Sequence, residues 1–305
     1  MKPILQLHLL VMVFAATAVL GRLISLPASA IVSWRTFLAA IGAVAITRLI
    51  RKKSLSAGGN GARLLLIGAI IGLHWFCFFA AVKIANISIC LAGLATISLF
   101  TAFTEPWLEK RPVRPFEVLL GLIVMAGLLM IAGFERSGSH LLGLGVAMIS
   151  AFLAAVFPVF NRRLVGSGKL DIQVMVAWEM AGAFLLVTPL LPLLEGSGKN
   201  PAAAWLALFD WHGRDWLWLL ALAWICTVFA HGYHIHLLRS LSAYTSNLVI
   251  NFEPVYGIAA AMLIFHEHRE LHAGFYFGTL TIILANALHA LVPWWRARTA
   301  RRAVP

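Results

Sequence analysis

Apolar residues run in long uninterrupted windows along the whole chain, and short segments between them hold most of the charged residues. Such windows predict transmembrane helices when they are about 20 residues long, because that length crosses the apolar core of a bilayer. The windows lie at residues 4–20, 28–50, 64–82, 88–108, 116–133, 141–164, 172–194, 215–238, 243–265 and 272–294. The pattern therefore predicts an all-α integral membrane protein with ten transmembrane helices.

The first window has a second interpretation. Lys2, an apolar run and the triplet Ala16-Thr17-Ala18 are also compatible with a signal peptide and its cleavage site. Its removal would leave nine windows and an incomplete repeat, so we interpret the window as the first helix.

Composition supports the membrane assignment. Hydrophobic residues make up 61% of the chain, charged residues only 12%, and the mean hydropathy is +0.89, whereas soluble domains carry roughly 25% charged residues. The net charge of +12 resides in short loops, without a basic face, so we expect no nucleic-acid partner. Without phosphate-binding glycine loops we expect no nucleotide or other cofactor, and the partners expected are a small-molecule substrate and the lipid bilayer.

Charge placement predicts the orientation, because loops rich in Lys and Arg stay on the cytoplasmic side. With a cytoplasmic N-terminus, 17 of the 24 basic residues fall on that side, 6 on the other, and Arg35 within a window. The bias predicts a multi-pass protein of the inner (plasma) membrane with both termini cytoplasmic. The predicted outer segment 195–214 is the longest non-helical stretch, and its Trp residues suit interfacial anchoring or, alternatively, a lid.

Ten helices divide into two sets of five that enter the membrane from opposite faces, as in many secondary transporters. We predict a first five-helix repeat at residues 1–136, and a second at 137–305 that includes a basic cytoplasmic tail. A shift of 158 residues aligns Ala85 with Ala243, Ser88 with Ser246, Glu109 with Glu267, and Arg111 with Arg269. These pairs are the direct sequence support for an inverted repeat.

An ordered set of motifs resembles the EamA-type branch of the drug/metabolite transporter superfamily. The motifs are Trp34-Arg35-x-Phe37, Ala85-x-x-Ser88, Ala243-x-x-Ser246, Glu105-Pro106, Glu253-Pro254, and the loop acids Glu109 and Glu267. The resemblance covers both halves and implies two inverted repeats around a central cavity. It also implies export or exchange of amino acids or other small metabolites. One departure is that the 158-residue shift sets Glu253 opposite Ala95, so the Glu-Pro pairs are not equivalent.

Intramembrane ionisable residues are functional candidates, because a charge within the bilayer is costly. Glu253 lies near the middle of the ninth window, with Asn247, Asn251 and Tyr256 at −6, −2 and +3. Pro254 removes a backbone donor and is expected to loosen the helix there. We predict that Glu253, Asn247, Asn251 and Tyr256 contribute to substrate binding, with a structural role for Glu253 as the alternative.

Two further acids and a base lie inside other windows. Arg35 and Glu179 each follow a Trp; Arg35 suits either a carboxylate substrate or a structural ion pair, because its guanidinium binds carboxylates bidentately. Glu105 lies near the predicted cytoplasmic end of its window. Glu105 and Glu179 are assigned to gating or coupling, and a simple interfacial position is the alternative for Glu105.

Aromatic and histidine residues cluster in the third and eighth windows. His74, Trp75 and Tyr233 are predicted to line a substrate cavity, with packing against lipid or protein as the alternative. His231 is assigned to gating or coupling. His231 and His234 are three residues apart, but no complete zinc motif accompanies them, so we expect no metal.

These features favour a secondary transporter, monomeric or homodimeric, rather than an enzyme. It is predicted to move small metabolites, amino acids or related compounds, outward by alternating access. Proton coupling through Glu253 is one hypothesis, and passive facilitation or exchange is the alternative. The alternatives are an intramembrane enzyme and a non-transporting receptor or assembly module. No positioned nucleophile or metal constellation stands out for the former, and polar residues inside several windows disfavour the latter.

Overall fold

Helices make up nearly the whole structure. The computed structural model describes residues 3–134, 136–168, 170–195 and 201–302; it is 82% helical, and no strand occurs in these ranges. In chain order the helices are α1 Pro3–Leu23, α2 Ala28–Ile50, α3 Gly61–Ile84, α4 Ile87–Leu94, α5 Ile97–Glu109, α6 Pro115–Phe134, α7 Gly138–Gly166, α8 Ile172–Val187, α9 Leu191–Leu194, α10 Pro201–Leu206, α11 Asp215–Leu237, α12 Ala243–Ile250, α13 Glu253–Phe265 and α14 Ala273–Arg302.

Within the described ranges, seven segments are long and apolar enough to cross a membrane, two of which are the pairs α4/α5 and α12/α13. Three shorter apolar helices lie at Pro115–Ile131, Ile172–Val187 and Ala273–Ala285. Each of the ten predicted windows coincides with one of these segments. Lys2, Lys169 and Lys199, which contribute to the predicted charge bias, lie outside the described residues.

Two predicted continuous helices are broken in the structure. The window 88–108 is divided at Ala95 and Thr96, and the window 243–265 is divided at Asn251 and Phe252. The helix is thus interrupted directly before Pro254, whereas the sequence predicts one continuous helix that Pro254 only loosens. Pro254 occupies the first turn of α13, where a backbone N–H has no intrahelical acceptor, so the missing N–H of proline breaks no hydrogen bond of that helix.

The segment 195–214 also differs from the prediction of a non-helical loop. It contains α10 and a turn of 3₁₀-helix at Ala207–Phe209, while residues 196–200 lie outside the described part. Its tryptophan Trp211 packs edge-on against Trp34 of α2, with ring centroids 4.9 Å apart. The Trp34 indole also donates to the Leu208 carbonyl at 2.7 Å. The segment therefore packs against α2.

Helix α3 lies at the centre of the packing, against α7, α8 and α2. Its contact with α8 is a backbone approach, because a Cβ added to Gly68 would lie 1.9 Å from the Glu179 carbonyl oxygen. Likewise, a Cβ added to Gly182 would lie 2.1 Å from the Leu65 carbonyl oxygen. Small residues permit such close helix pairs in membranes, where dispersion contacts rather than water exclusion drive association.

A charged cluster ties the end of α2 to the beginning of α8. Asp171 accepts a backbone hydrogen bond from Gln173 and binds Arg51 at 3.0 Å and Lys53 at 2.8 Å. Partial burial opposes ionisation of Asp171, but the hydrogen bonds from Lys53 and Gln173, with the charge of Arg51, hold its pKa below the usual value.

Candidate functional site

A cavity lies between helices from both predicted halves, at the breaks of α4/α5 and α12/α13. The empty space between its walls is about 640 Å³, part of it open to the surroundings. The walls are mainly aromatic and aliphatic, with two residues of opposite charge. The lining residues are Phe14, Thr17, Arg35, His74, Trp75, Phe78, Leu94, Ile97, Ala154, Phe157, Cys226, His231, His234, Asn247, Ile250 and Glu253.

Arg35 is the buried cation of the cavity, with only 2% of its surface exposed. Its Nε donates to the Thr227 hydroxyl at 2.8 Å, and one terminal nitrogen lies 3.5 Å from the Cys226 carbonyl oxygen. The guanidinium also stacks on Trp75, 3.7 Å from the ring centroid. A π-helical stretch at Ala221–Phe229 carries Thr227 and Cys226. These contacts fix the orientation of a charge that faces the cavity.

Glu253 is the buried acid of the cavity and the first residue of α13. No ion pair joins it to Arg35 or to another described residue, although both side chains line the same space. Residues of opposite charge thus line one cavity without an ion pair between them.

His231 lines the cavity and contacts Glu179 of α8. Glu179 is fully buried, and one of its carboxylate oxygens lies 2.7 Å from His231 Nε2. The other Glu179 oxygen has no hydrogen-bond partner within the described part of the chain. His231 packs edge-on against Trp75, with ring centroids 6.1 Å apart. Glu179 therefore reaches the cavity through His231 rather than through Arg35.

Two more polar contacts cross between the halves beside the cavity. His74 Nδ1 lies 2.8 Å from the Ser150 hydroxyl of α7. Asn247 donates from Nδ2 to the Thr101 hydroxyl of α5 at 2.9 Å, while its Oδ1 lacks a partner among the described residues. Asn247 therefore retains an acceptor for a ligand or water.

The structure separates the predicted site residues into two groups. Arg35, His74, Trp75, His231, Asn247 and Glu253 line the cavity, whereas Asn251, Tyr233, Tyr256, Glu105 and Glu179 do not. Tyr256 pairs through its hydroxyl with His8 of α1 at 2.7 Å, and Tyr233 stacks on Phe229. Asn251 is buried at the break before α13. Of the predicted site residues, only the first group lines this cavity.

Several residues of the site were missed in the sequence. Thr227 holds Arg35, Ser150 holds His74, and Phe157 forms an aromatic wall, but Thr, Ser and Phe are frequent in apolar windows. Asn161 gave a better signal, because an amide inside a transmembrane window is uncommon. It follows Phe157 by one helical turn on α7 and is fully buried, and neither of its side-chain polar atoms has a described partner.

Along α7, Asn161 lies between Phe157 of the cavity wall and Arg162, which forms an ion pair with Glu109 of α5 at 2.7 Å. Replacement of Asn161 by Leu is expected to leave the Tm unchanged or raise it, because a buried polar group without a partner costs about 1–3 kcal/mol. Substrate flux is expected to fall several-fold if the amide serves a passage from the cavity. Thermal unfolding and flux of the purified variant measure the two effects.

The matched control is Thr279→Val on α14, where a buried hydroxyl also lacks a described partner but lies outside the cavity lining. Thr279→Val is expected to preserve the flux and, like Asn161→Leu, to leave the Tm unchanged or raise it. A strongly lowered Tm for Asn161→Leu would mean that the amide is a structural hydrogen-bonding group instead.

Comparison with known proteins decides the family. Residues 141–291 match the model described as the EamA-like transporter family. This range belongs to that family. The resemblance inferred from the sequence motifs is thereby confirmed over this range. The chain is a multi-pass membrane protein, and the matched family indicates transport of small molecules. No curated protein matches the chain significantly.

A solved structure shares the fold of this chain over nearly its whole length. It is a crystal structure of another protein, 17% identical, with a TM-score of 0.63, and the match covers 99% of this chain and 98% of that one. At this identity the likeness shows the fold alone. It shows that both halves, and not residues 141–291 alone, belong to one shared architecture.

Proposed function

We propose that this chain is a secondary transporter that moves small zwitterionic metabolites, amino acids or related compounds, out of the cell by alternating access. The observation that supports this substrate class most directly is the pair Arg35 and Glu253, opposite charges on one aromatic-walled cavity without an ion pair between them. Arg35 would bind the carboxylate and Glu253 the ammonium group. The apolar walls would contact the remainder of the substrate.

Two inverted five-helix repeats, residues 1–136 and 137–305, are part of the proposal. The positions of the broken helices support it: Ile87, Leu94, Ile97 and Glu109, which bound α4 and α5, recur 156 residues later at Ala243, Ile250, Glu253 and Phe265. This register differs by two residues from the 158-residue shift that aligns the sequence identities. It also makes Asn86 and Ser242, which cap α4 and α12, equivalent.

The protein would lie in the plasma membrane with both termini cytoplasmic, as the distribution of basic residues predicts. Glu253 would take up a proton when the substrate leaves, because an unpaired buried carboxylate is unfavourable in the membrane. A change of charge in the cavity would alter the contact between His231 and Glu179, and would thereby act on α8. Glu105 would act at the end of the substrate path, away from the cavity lining.

The test is flux of labelled amino acids and related metabolites in proteoliposomes, with and without a pH gradient. Wild-type flux is expected to follow the gradient. Glu253→Gln is expected to abolish that dependence, because an amide side chain does not titrate near neutral pH. Glu270→Gln, an exposed acid after α13, is the control and should behave as wild type. Unchanged gradient dependence in Glu253→Gln contradicts coupling at this residue, and absence of flux for every compound contradicts the proposed substrate class.

A further inference from the structure

The two broken helices run antiparallel across the bundle. The beginning of α4, at Ser88, lies against Glu267 after the end of α13. The beginning of α12, at Tyr244, lies against Glu105 near the end of α5. Each pair of helices spans 23 residues, about 35 Å at 1.5 Å per residue. The two contacts therefore lie at opposite ends of the bundle.

The first contact joins Glu267 to the beginning of α4. One Glu267 oxygen accepts from the Ile87 backbone N–H at 3.0 Å, and the other accepts from the Ser88 N–H at 2.9 Å and from the Ser88 hydroxyl at 2.7 Å. Only 3% of Glu267 is exposed. Three hydrogen bonds to one buried carboxylate form a strong contact, because charge-assisted bonds are about twice as strong as neutral ones.

The second contact joins Glu105 to the beginning of α12. Glu105 accepts from the Tyr244 backbone N–H at 2.9 Å and binds Arg111 at 3.2 Å, and only 2% of it is exposed. Arg111 also lies 3.8 Å from Glu117 of α6. Both contacts therefore follow the same rule, in which a carboxylate of one proposed repeat binds the first backbone N–H groups of a broken helix in the other.

The cavity lies between the two contacts. Leu94 and Ile97 flank the break of α4/α5, Ile250 and Glu253 flank the break of α12/α13, and all four line the cavity. To open the cavity toward one end, the helices at that end have to separate, which breaks the carboxylate contact there. The opposite contact can persist while this happens, since it holds the other ends of the same helices.

We propose that Glu267 and Glu105 are closing residues, broken one at a time, that determine from which side of the membrane the cavity is accessible; the proposal rests on the alternating access proposed above. Glu267 closes the predicted outer side and Glu105 the predicted cytoplasmic side. Neither residue lines the cavity. Their role is to position the helices rather than to bind substrate.

A native cysteine permits a direct test. Cys226 lines the cavity and is 2% exposed, and Cys77 and Cys90 are the only other cysteines of the sequence. In a Cys77→Ala, Cys90→Ala background, a membrane-impermeant maleimide is applied to intact cells and to inside-out vesicles. The rate of Cys226 labelling measures how often the cavity is open to each side. Glu267→Gln, Glu105→Gln and the exposed control Glu270→Gln are compared in this background.

Glu267→Gln is expected to raise the labelling rate from the outside at least about tenfold and to lower it from the inside, because the amide loses the charge and presents a donor to backbone N–H groups. Glu105→Gln is expected to produce the reverse, and Glu270→Gln no change. An increase from both sides, or no change from either, would overturn the proposal. Gel filtration and the Tm of each variant exclude unfolding as the cause of altered labelling.

The labelling does not depend on which substrate is transported. Opposite effects of the two variants without flux of any compound would support the closing residues and contradict the proposed substrate class. Flux with the expected pH response but without opposite labelling effects would support the transporter and overturn the closing residues. The two proposals are thus tested separately.

Discussion

Arg35→Gln is expected to lower the flux of a zwitterionic substrate by about 30-fold or more. The reason is that a buried ion pair between Arg35 and the substrate carboxylate contributes about 2 kcal/mol or more to binding. Arg35→Lys should retain part of the flux, since lysine keeps the charge but cannot reproduce the fork that binds Thr227 or the stacking on Trp75. Initial rates in proteoliposomes measure both effects.

Substrate analogues separate binding from folding in this experiment. An amino-acid amide lacks the carboxylate, so its flux, already low in the wild type, should change little in Arg35→Gln. Arg22→Gln, at the exposed end of α1, is the matched control and should leave the flux of both compounds unchanged. An equal loss for acid and amide would assign Arg35 to the structure of α2 and α11 instead of to the substrate.

Gly68→Ala is expected to destabilise the folded protein by about 2 kcal/mol or more, which lowers the Tm by roughly 5 °C. The new methyl group would occupy the position now filled by the Glu179 backbone, 1.9 Å from its carbonyl oxygen, so α3 and α8 would have to separate. Gly182→Ala should act similarly against Leu65. Thermal unfolding in detergent measures both shifts.

Gly145→Ala in α7 is the control, because nothing lies within 4 Å of its added Cβ. Alanine in a helix is ordinarily more favourable than glycine by about 0.5–1 kcal/mol, so this variant should be neutral or stabilised. The sign of the change should therefore differ between two chemically identical substitutions. Equal Tm values for Gly68→Ala and Gly145→Ala would contradict the close approach of α3 and α8.

The pair Arg35 and Glu253 illustrates how far the sequence predicts the site. Both were identifiable, because an ionised side chain in an apolar window is costly and rare. That they face one cavity is a tertiary fact, since Glu253 follows Arg35 by 218 residues and six other predicted windows lie between theirs. Glu179 was identified for the same reason, but its partner His231 lies on another helix.

Tyr233 and Tyr256 illustrate the opposite case. Both satisfied the sequence criterion of a polar aromatic inside an apolar window, but they lie beside His236 and His8, away from the cavity lining. In a membrane helix, period 3.6 distributes residues over all faces, and lipid-facing and protein-facing positions are equally apolar. The pattern therefore does not indicate which face of a helix meets the cavity.

The sequence by itself determined the helical class, the membrane as solvent, the positions of the apolar helices and the resemblance to the EamA-type family. It could do so because an unpaired backbone is unfavourable in lipid, so an apolar run of sufficient length is forced to be helical. Only the tertiary structure decided the breaks at Ala95 and Asn251, the carboxylate contacts of Glu105 and Glu267, and the cavity between them. Those features depend on which distant backbone N–H groups find a partner, and packing rather than local sequence supplies the partner.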